Sequence, residues 1–331
     1  MRAVVCDAFG LEHASVKDVD SPSIFPDGVR LAVHSAGVSF ANLLVIDGKH
    51  QNRWEPPFTP GTEVAGVVTE CGHAIRHFKV GDRVVAGVKT GGYAQEVVVP
   101  ESSVFKLPDG VDFDTAVQFP TIYATAYAAL KWKAAIQPGE VLLVHGAAGG
   151  SGLAAIEIGK LLGARVIATA GSEEKIIAAQ QHGADLVVNY QKRDFRDFVL
   201  DATDARGADV IFDPVGGDTF NSSLRCIAPD GRIIPMGFAS GTIPQIPANI
   251  VLVKNITVIG LYWGYYMGWA RQAPPPETGD RVRAAFSELL GWAATKKLRP
   301  TTYKIFSLSD FAQALQTLSK REVIGRVVLR P

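Results

Sequence analysis

The segment that most constrains this chain is Val141-Leu142-Leu143-Val144-His145-Gly146-Ala147-Ala148-Gly149-Gly150-Ser151-Gly152-Leu153. Its apolar start reads as a buried strand, its glycines as a tight turn, and the residues from Gly152 to Gly163 as a helix. Ala147, Gly149 and Gly152 fall on the slots of the dinucleotide fingerprint G-x-G-x-x-G, with alanine in the first. The second slot lets the backbone approach a pyrophosphate, and the third lets the helix pack closely on the strand. The helix N-terminus adds free N–H groups and partial positive charge. Ala148, Gly149, Gly150, Ser151 and Gly152 are therefore the expected phosphate contacts; an ordinary tight turn is the plain alternative. A P-loop does not fit, because no lysine-serine/threonine pair follows the glycines.

The surroundings of this loop decide the fold class. From about residue 113 the pattern alternates: a helical stretch over 114–133, strands at 141–145, 165–170, 186–189, 209–213 and 232–236, and helices at 173–183, 195–202 and 219–227. Continuous apolar strands alternating with helices indicate α/β architecture with a doubly wound parallel sheet. The first third differs. Runs at 29–38, 64–70, 83–88 and 96–100 are β-rich and punctuated by Pro60-Gly61, Gly81-Asp82 and Gly91-Gly92, consistent with a partly closed barrel. Beyond an apolar strand at 256–261, the tail loses the alternation and is expected to rejoin the first domain. A length of 331 residues suits two such domains.

Lys+Arg number 33 and Asp+Glu 33, so there is no basic excess of the kind a nucleic-acid partner selects. Cys6, Cys71 and Cys226 are scattered, which excludes a four-cysteine zinc site and points to free buried thiols in a reducing compartment. The longest uncharged run, 233–253, holds three prolines, Gln245 and Asn249, and makes a poor membrane span. Asp7 interrupts the N-terminus before any apolar signal segment develops. A cytoplasmic protein without membrane or nucleic-acid partners is expected.

An NAD site places an acid about 20 residues past the loop, on the ribose 2′-OH. Here the second strand ends at Ala170 and continues Gly171-Ser172, with Glu173 and Glu174 opening the next helix. Ser172, Lys175 and Tyr190 are thus candidates for a 2′-phosphate and for NADPH, although Lys175 also reads as a solvated helix lysine. Tyr127 and Lys131 have the Tyr-x-x-x-Lys spacing of short-chain reductases, but they precede the glycine loop, so the spacing is taken as coincidence.

Further motifs occur in a fixed order: Gly61-Thr62-Glu63-Val64-Ala65-Gly66-Val67-Val68, Gly81-Asp82-Arg83-Val84, Gly91-Gly92-Tyr93-Ala94-Gln95-Glu96, the Ala147–Gly152 loop, Asp213-Pro214-Val215-Gly216-Gly217 and Gly237-Phe238-Ala239-Ser240-Gly241. Together they resemble the medium-chain dehydrogenase/reductase superfamily. Within it they are similar to the zinc-independent NADPH:quinone oxidoreductase group related to zeta-crystallin, over essentially the whole chain. The resemblance implies a GroES-like catalytic domain from residues 1–120 and 262–331, a Rossmann NADPH-binding domain from 121–261, and a homodimer pairing the 256–261 strands. It also implies Asn42 and Thr125 near the nicotinamide, Phe238 at the cofactor, and Lys175, Tyr190 and Arg321 at the 2′-phosphate. A surface arginine is the alternative for Arg321.

Zinc alcohol dehydrogenases carry Cys and His where this chain has Ser39 and Thr62, and neither hydroxyl is a good zinc ligand. No metal is expected. Without Lewis-acid help, the fitting reaction is hydride transfer from NADPH to an already electrophilic acceptor, a quinone or an activated alkene (enone). Related quinone reductases often carry Asn at position 39 and Tyr at positions 44 and 50, where this chain has Ser39, Leu44 and His50. His50, with an ordinary pKa near neutrality, and Tyr262 are the candidate proton donors. Tyr262, Trp263, Tyr265 and Tyr266 roof a flat acceptor or else form core or dimer contacts. Two alternatives stand: an enoyl-thioester reductase using Arg53 or Arg271 at the carrier phosphate, and a non-catalytic NADPH-binding sensor or crystallin-like protein.

Overall fold

The structure, a computed structural model, describes residues 1–320 and 322–331. The chain divides into two compact units: residues 1–121, 264–296 and 300–331, and residues 122–263 and 297–299.

The N-terminal part is built of short antiparallel strands. β1 (Arg2–Cys6) pairs with β2 (Ala14–Asp18), and β3 (Gly28–Val38) leads into α1 (Phe40–Ile46). There follow β4 (Glu63–Cys71), β5 (Arg83–Gly87), β6 (Glu96–Pro100), β7 (Val104–Lys106) and the single turn α2 (Phe113–Ala116). β3 is the hub, pairing antiparallel with both β4 and β6. Its Val29, Leu31, Ala36 and Val38 are fully buried and anchor the sheet in the core. Pairing was not legible for β1, β2 and β7, whose runs are too short to show a period.

The second unit opens with a helical stretch that is not one regular helix. Phe119–Tyr123 and Ala128–Lys133 are π-helical and flank α3 (Ala124–Tyr127), where 114–133 reads as one helical stretch from sequence. Then come β8 (Val141–Val144), α4 (Gly150–Leu161), β9 (Arg165–Ala170), α5 (Glu173–Gln181), β10 (Leu186–Asn189), α6 (Phe195–Ala202), β11 (Ala208–Asp213), α7 (Gly217–Cys226), β12 (Ile227–Pro235), α8 (Ala248–Lys254) and β13 (Thr257–Val258). All strand pairs are parallel, in the order β10-β9-β8-β11-β12-β13. Each pair therefore needs a crossover, which the helices supply. β13 is shorter than the apolar run at 256–261 suggests, because only Arg232 and Ile233 of β12 face it in register.

The tail holds α9 (Trp263–Tyr266), α10 (Thr278–Ala294), β14 (Thr302–Ser307), α11 (Phe311–Ser319) and β15 (Arg326–Arg330). β15 adds antiparallel to β3, and β14 parallel to β15, which completes a seven-stranded sheet. The C-terminal residues thus return to the N-terminal sheet. Phe286 of α10 stacks on Phe105 of β7, with ring centroids 3.5 Å apart and planes 6° from parallel. Among the described residues no helix is long and apolar enough to cross a membrane.

Candidate functional site

The turn between β8 and α4 has the geometry a dinucleotide phosphate requires. Gly146 takes φ +58°, Gly149 donates its N–H to the Gly146 carbonyl at 3.1 Å, and Ala147 donates to the Thr169 carbonyl at 3.2 Å. A Cβ on Gly152 would press into the Gly146 carbonyl and lie 2.7 Å from the Ala147 Cα, so only glycine lets α4 sit this close. Gly149 caps α4 with no side-chain acceptor, and the first turn carries no acid. The free N–H groups are left to an anion. Ala148 and Gly152 are buried, while Gly149, Gly150 and Ser151 are half-exposed.

Sequence reasoning missed the device that holds this turn. His145 is buried at the end of β8, 3.1 Å from Thr169 Oγ1 and 2.8 Å from Ser223 Oγ. Ser223 Oγ donates its own proton to the Thr219 carbonyl, so it accepts from His145 Nε2–H, and Nδ1 accepts from Thr169. Burial pushes the His145 pKa down to about 3. A histidine inside an apolar strand was the only signal available.

At the ends of β9 and β10, Ser172 caps α5 by accepting the Lys175 N–H, and Tyr190 N–H donates to the Ala170 carbonyl. A Cβ on Gly171 would lie 2.5 Å from the Tyr190 hydroxyl, so glycine here is what lets the phenol cross. Ser172, Lys175 and Tyr190 are thereby brought to one edge, with no carboxylate ending β9. Phe238 is exposed and lies 3.0 Å from where a Gly216 Cβ would be. Its loop is anchored by N–H groups of Ala239 and Ser240 donating to the Pro214 and Val215 carbonyls. Buried Asp213 in turn accepts from Val215 and Gly216 N–H. These loops leave the carboxyl ends of β8, β9, β11 and β12, around the point where the strand order reverses, which is where open α/β sheets bind ligands. Thr125 is half-buried on α3, flanked by the two π-helical turns, a distortion often found at functional sites. Trp263 is buried with its ring centroid 5.9 Å from that of Trp132, so this member of the aromatic run is core, while Tyr262 is half-buried.

In the other unit, Ser39 and Asn42 form a capping box on α1. Ser39 N–H and Oγ–H both reach Asn42 Oδ1, at 2.9 and 2.7 Å, and Tyr93 Oη lies 3.1 Å from the same oxygen. Next to them Glu63 is fully buried, paired with Arg326 at 2.5 Å and bonded to Thr121 Oγ1. Burial pushes the Glu63 carboxyl up, and the guanidinium opposes it. Gly37 leaves room for this pair, since its Cβ would meet Glu63 Oε2 at 2.7 Å. His50 lies on the turn after α1, half-buried. Cys6 and Cys226 are buried, their thiols pushed up to about 11 and about 12, and Cys71 is half-buried. Arg321 lies outside the described residues.

The fold agrees with the comparisons to known proteins. Residues 26–109 match the alcohol dehydrogenase GroES-like domain, and residues 150–274 match the zinc-binding dehydrogenase family. The quinone oxidoreductase-like protein 2 homolog of Nematostella vectensis is 40% identical, over 99% of this chain and 88% of its own length. The chain belongs to the quinone oxidoreductase family of medium-chain dehydrogenases/reductases. Another member of this oxidoreductase family, the quinone oxidoreductase of Pseudomonas aeruginosa, is 31% identical over 97% of both chains. The Escherichia coli quinone oxidoreductase, solved in complex with NADPH, superposes with a TM-score of 0.91 at 26% identity, covering 100% of both chains. Although one matching family is named for zinc, no group of three or more His, Cys, Asp or Glu among the described residues is placed to hold a metal ion.

Proposed function

We propose that this quinone oxidoreductase family member is an NADPH-dependent reductase of quinones or enones that works without zinc. The observation that carries this reading is the end of β9. Ser172, Lys175 and Tyr190 gather there, and no carboxylate stands where a 2′-hydroxyl would need one. The cleared N-terminus of α4 fits the pyrophosphate, through the N–H groups of Gly149, Gly150 and Ser151. Asn42, Thr125 and Phe238 are assigned to the nicotinamide half, and NADPH in the Escherichia coli relative supports the same cofactor.

When bound, the dinucleotide supplies a hydride. The acceptor takes that hydride at the quinone or at the enone β-carbon, and one proton from solvent completes the two-electron reduction. The chain's task is to hold the partners in register and exclude water. The donor set supports work without zinc: Ser39 Oγ is committed within the capping box, and Thr62 offers a hydroxyl where the zinc enzymes carry an imidazole. The purified protein is expected to oxidise NADPH with quinones or enones, at least tenfold better than NADH, and to keep that activity after dialysis against a chelator. NADPH binding without turnover of any quinone, enone or enoyl-thioester would instead indicate a sensor-like protein.

A further inference from the structure

Glu157 carries a carboxylate in the apolar body of α4, where it is buried. Donors from three separate segments of the second unit close on it. The Tyr123 hydroxyl donates to Oε2 at 2.8 Å, and His182 Nδ1, at the end of α5, lies 2.9 Å from Oε1. The Arg299 backbone N–H is shared by the two oxygens, at 3.1 Å from each. A carboxylate only accepts, so His182 donates from Nδ1. Burial and the adjacent carboxylate push the Tyr123 phenol well above its ordinary value, which keeps it a donor as well.

The Arg299 contact has a different topology from the others. α10 and β14 belong to the first unit, yet residues 297–299 between them belong to the second. Within this strap Leu298 is buried, and Arg299 makes two ties. Its guanidinium donates to the Gln181 carbonyl at 3.0 Å in an exposed bond, where water competes. Its backbone N–H meets a buried charged acceptor, which is the stronger kind of bond. Lifting the strap does not strand the carboxylate, because Tyr123 and His182 stay on it. A buried charge with a single donor could not give that donor up without leaving an uncompensated charge in the core.

We propose that Glu157 is a latch: its carboxylate holds the 297–299 strap on α4, and the strap opens as a local unit, with the parallel sheet still folded, when that acceptor is lost. Opening moves the Arg299 N–H and the Leu298 side chain into water and leaves the hydrogen bonds of β8 to β13 in place. Because α4 also begins at the glycine turn, the strap and the turn are carried by one rigid helix.

Native-state proteolysis of the full chain tests this. Trypsin has sites after Lys296 and Lys297, and a folded strap must open before either is cut, whereas the bond from Arg299 to Pro300 resists it. Fragment masses identify the cut. Wild type is expected to be nicked slowly there, with little dependence on urea, the mark of a local opening. Glu157→Leu is expected to be nicked about tenfold or more faster, again with little urea dependence. Glu157→Gln keeps one acceptor oxygen and should fall between the two; it carries the test if the leucine variant does not fold. Arg299→Ala keeps the backbone N–H and should stay near wild type. Glu157 variants nicked at the wild-type rate would overturn the latch. So would nicking that rises with urea as steeply as global unfolding, or Arg299→Ala nicked as fast as the Glu157 variants.

Discussion

At the scale of single residues, two positions govern the glycine turn between β8 and α4. Gly152 is required by contact: a methyl there must displace the backbone of Gly146 and Ala147, which a flexible side chain could not relieve. Gly152→Ala is expected to destabilise the protein by about 1–3 kcal/mol and to weaken NADPH binding, measured by thermal melting and fluorescence titration. His145 acts through linkage. Its folded pKa of about 3 lies below the unfolded value, so the unfolded state binds the extra proton. The stability His145 contributes is complete above about pH 6.5 and falls as pH drops toward 3. Between pH 7 and 5 the loss is roughly 2 kcal/mol. Urea titrations at the two pH values should show that loss in wild type and a correspondingly smaller one in His145→Gln.

Elements show a second kind of constraint, contacts between segments far apart in sequence. α10 is fixed to β7 by the stacked rings of Phe286 and Phe105, both buried. Phe286→Ala is expected to cost about 3–5 kcal/mol, since the cavity lies between a helix and a sheet that cannot close on it. Chemical denaturation would measure it. α5 poses a different question, because its first turn contains both acids and Lys175. Lys175→Ala is expected to lower the preference for NADPH over NADH about tenfold or more, with kcat/KM for each cofactor as the readout. An unchanged ratio would remove Lys175 from the 2′-phosphate site.

For the molecule as a whole, the open question is association. β13 forms the outer strand of the six-stranded sheet, and Leu252 and Val253 of the adjacent α8 are 77% and 76% exposed. An unpaired edge beside exposed apolar side chains is a liability that pairing removes. We propose the homodimer on this ground, through the 256–261 segment. Light scattering should give twice the 35.4 kDa chain mass; a monomer at micromolar concentration would refute it.

The sequence by itself determined the alternating α/β pattern, the glycine turn and the missing acid after Ala170, because each is written in neighbouring residues and a local period. Strands β9 and β10 and helix α6 could be read to their ends for the same reason. The tertiary structure alone decided what depends on distant partners. It set the π-helical turns around Thr125, the return of β15 to β3, the buried Glu63–Arg326 pair and the burial of His145 between Thr169 and Ser223. Protonation and packing are set by the surroundings a folded chain creates, and no local pattern encodes those surroundings.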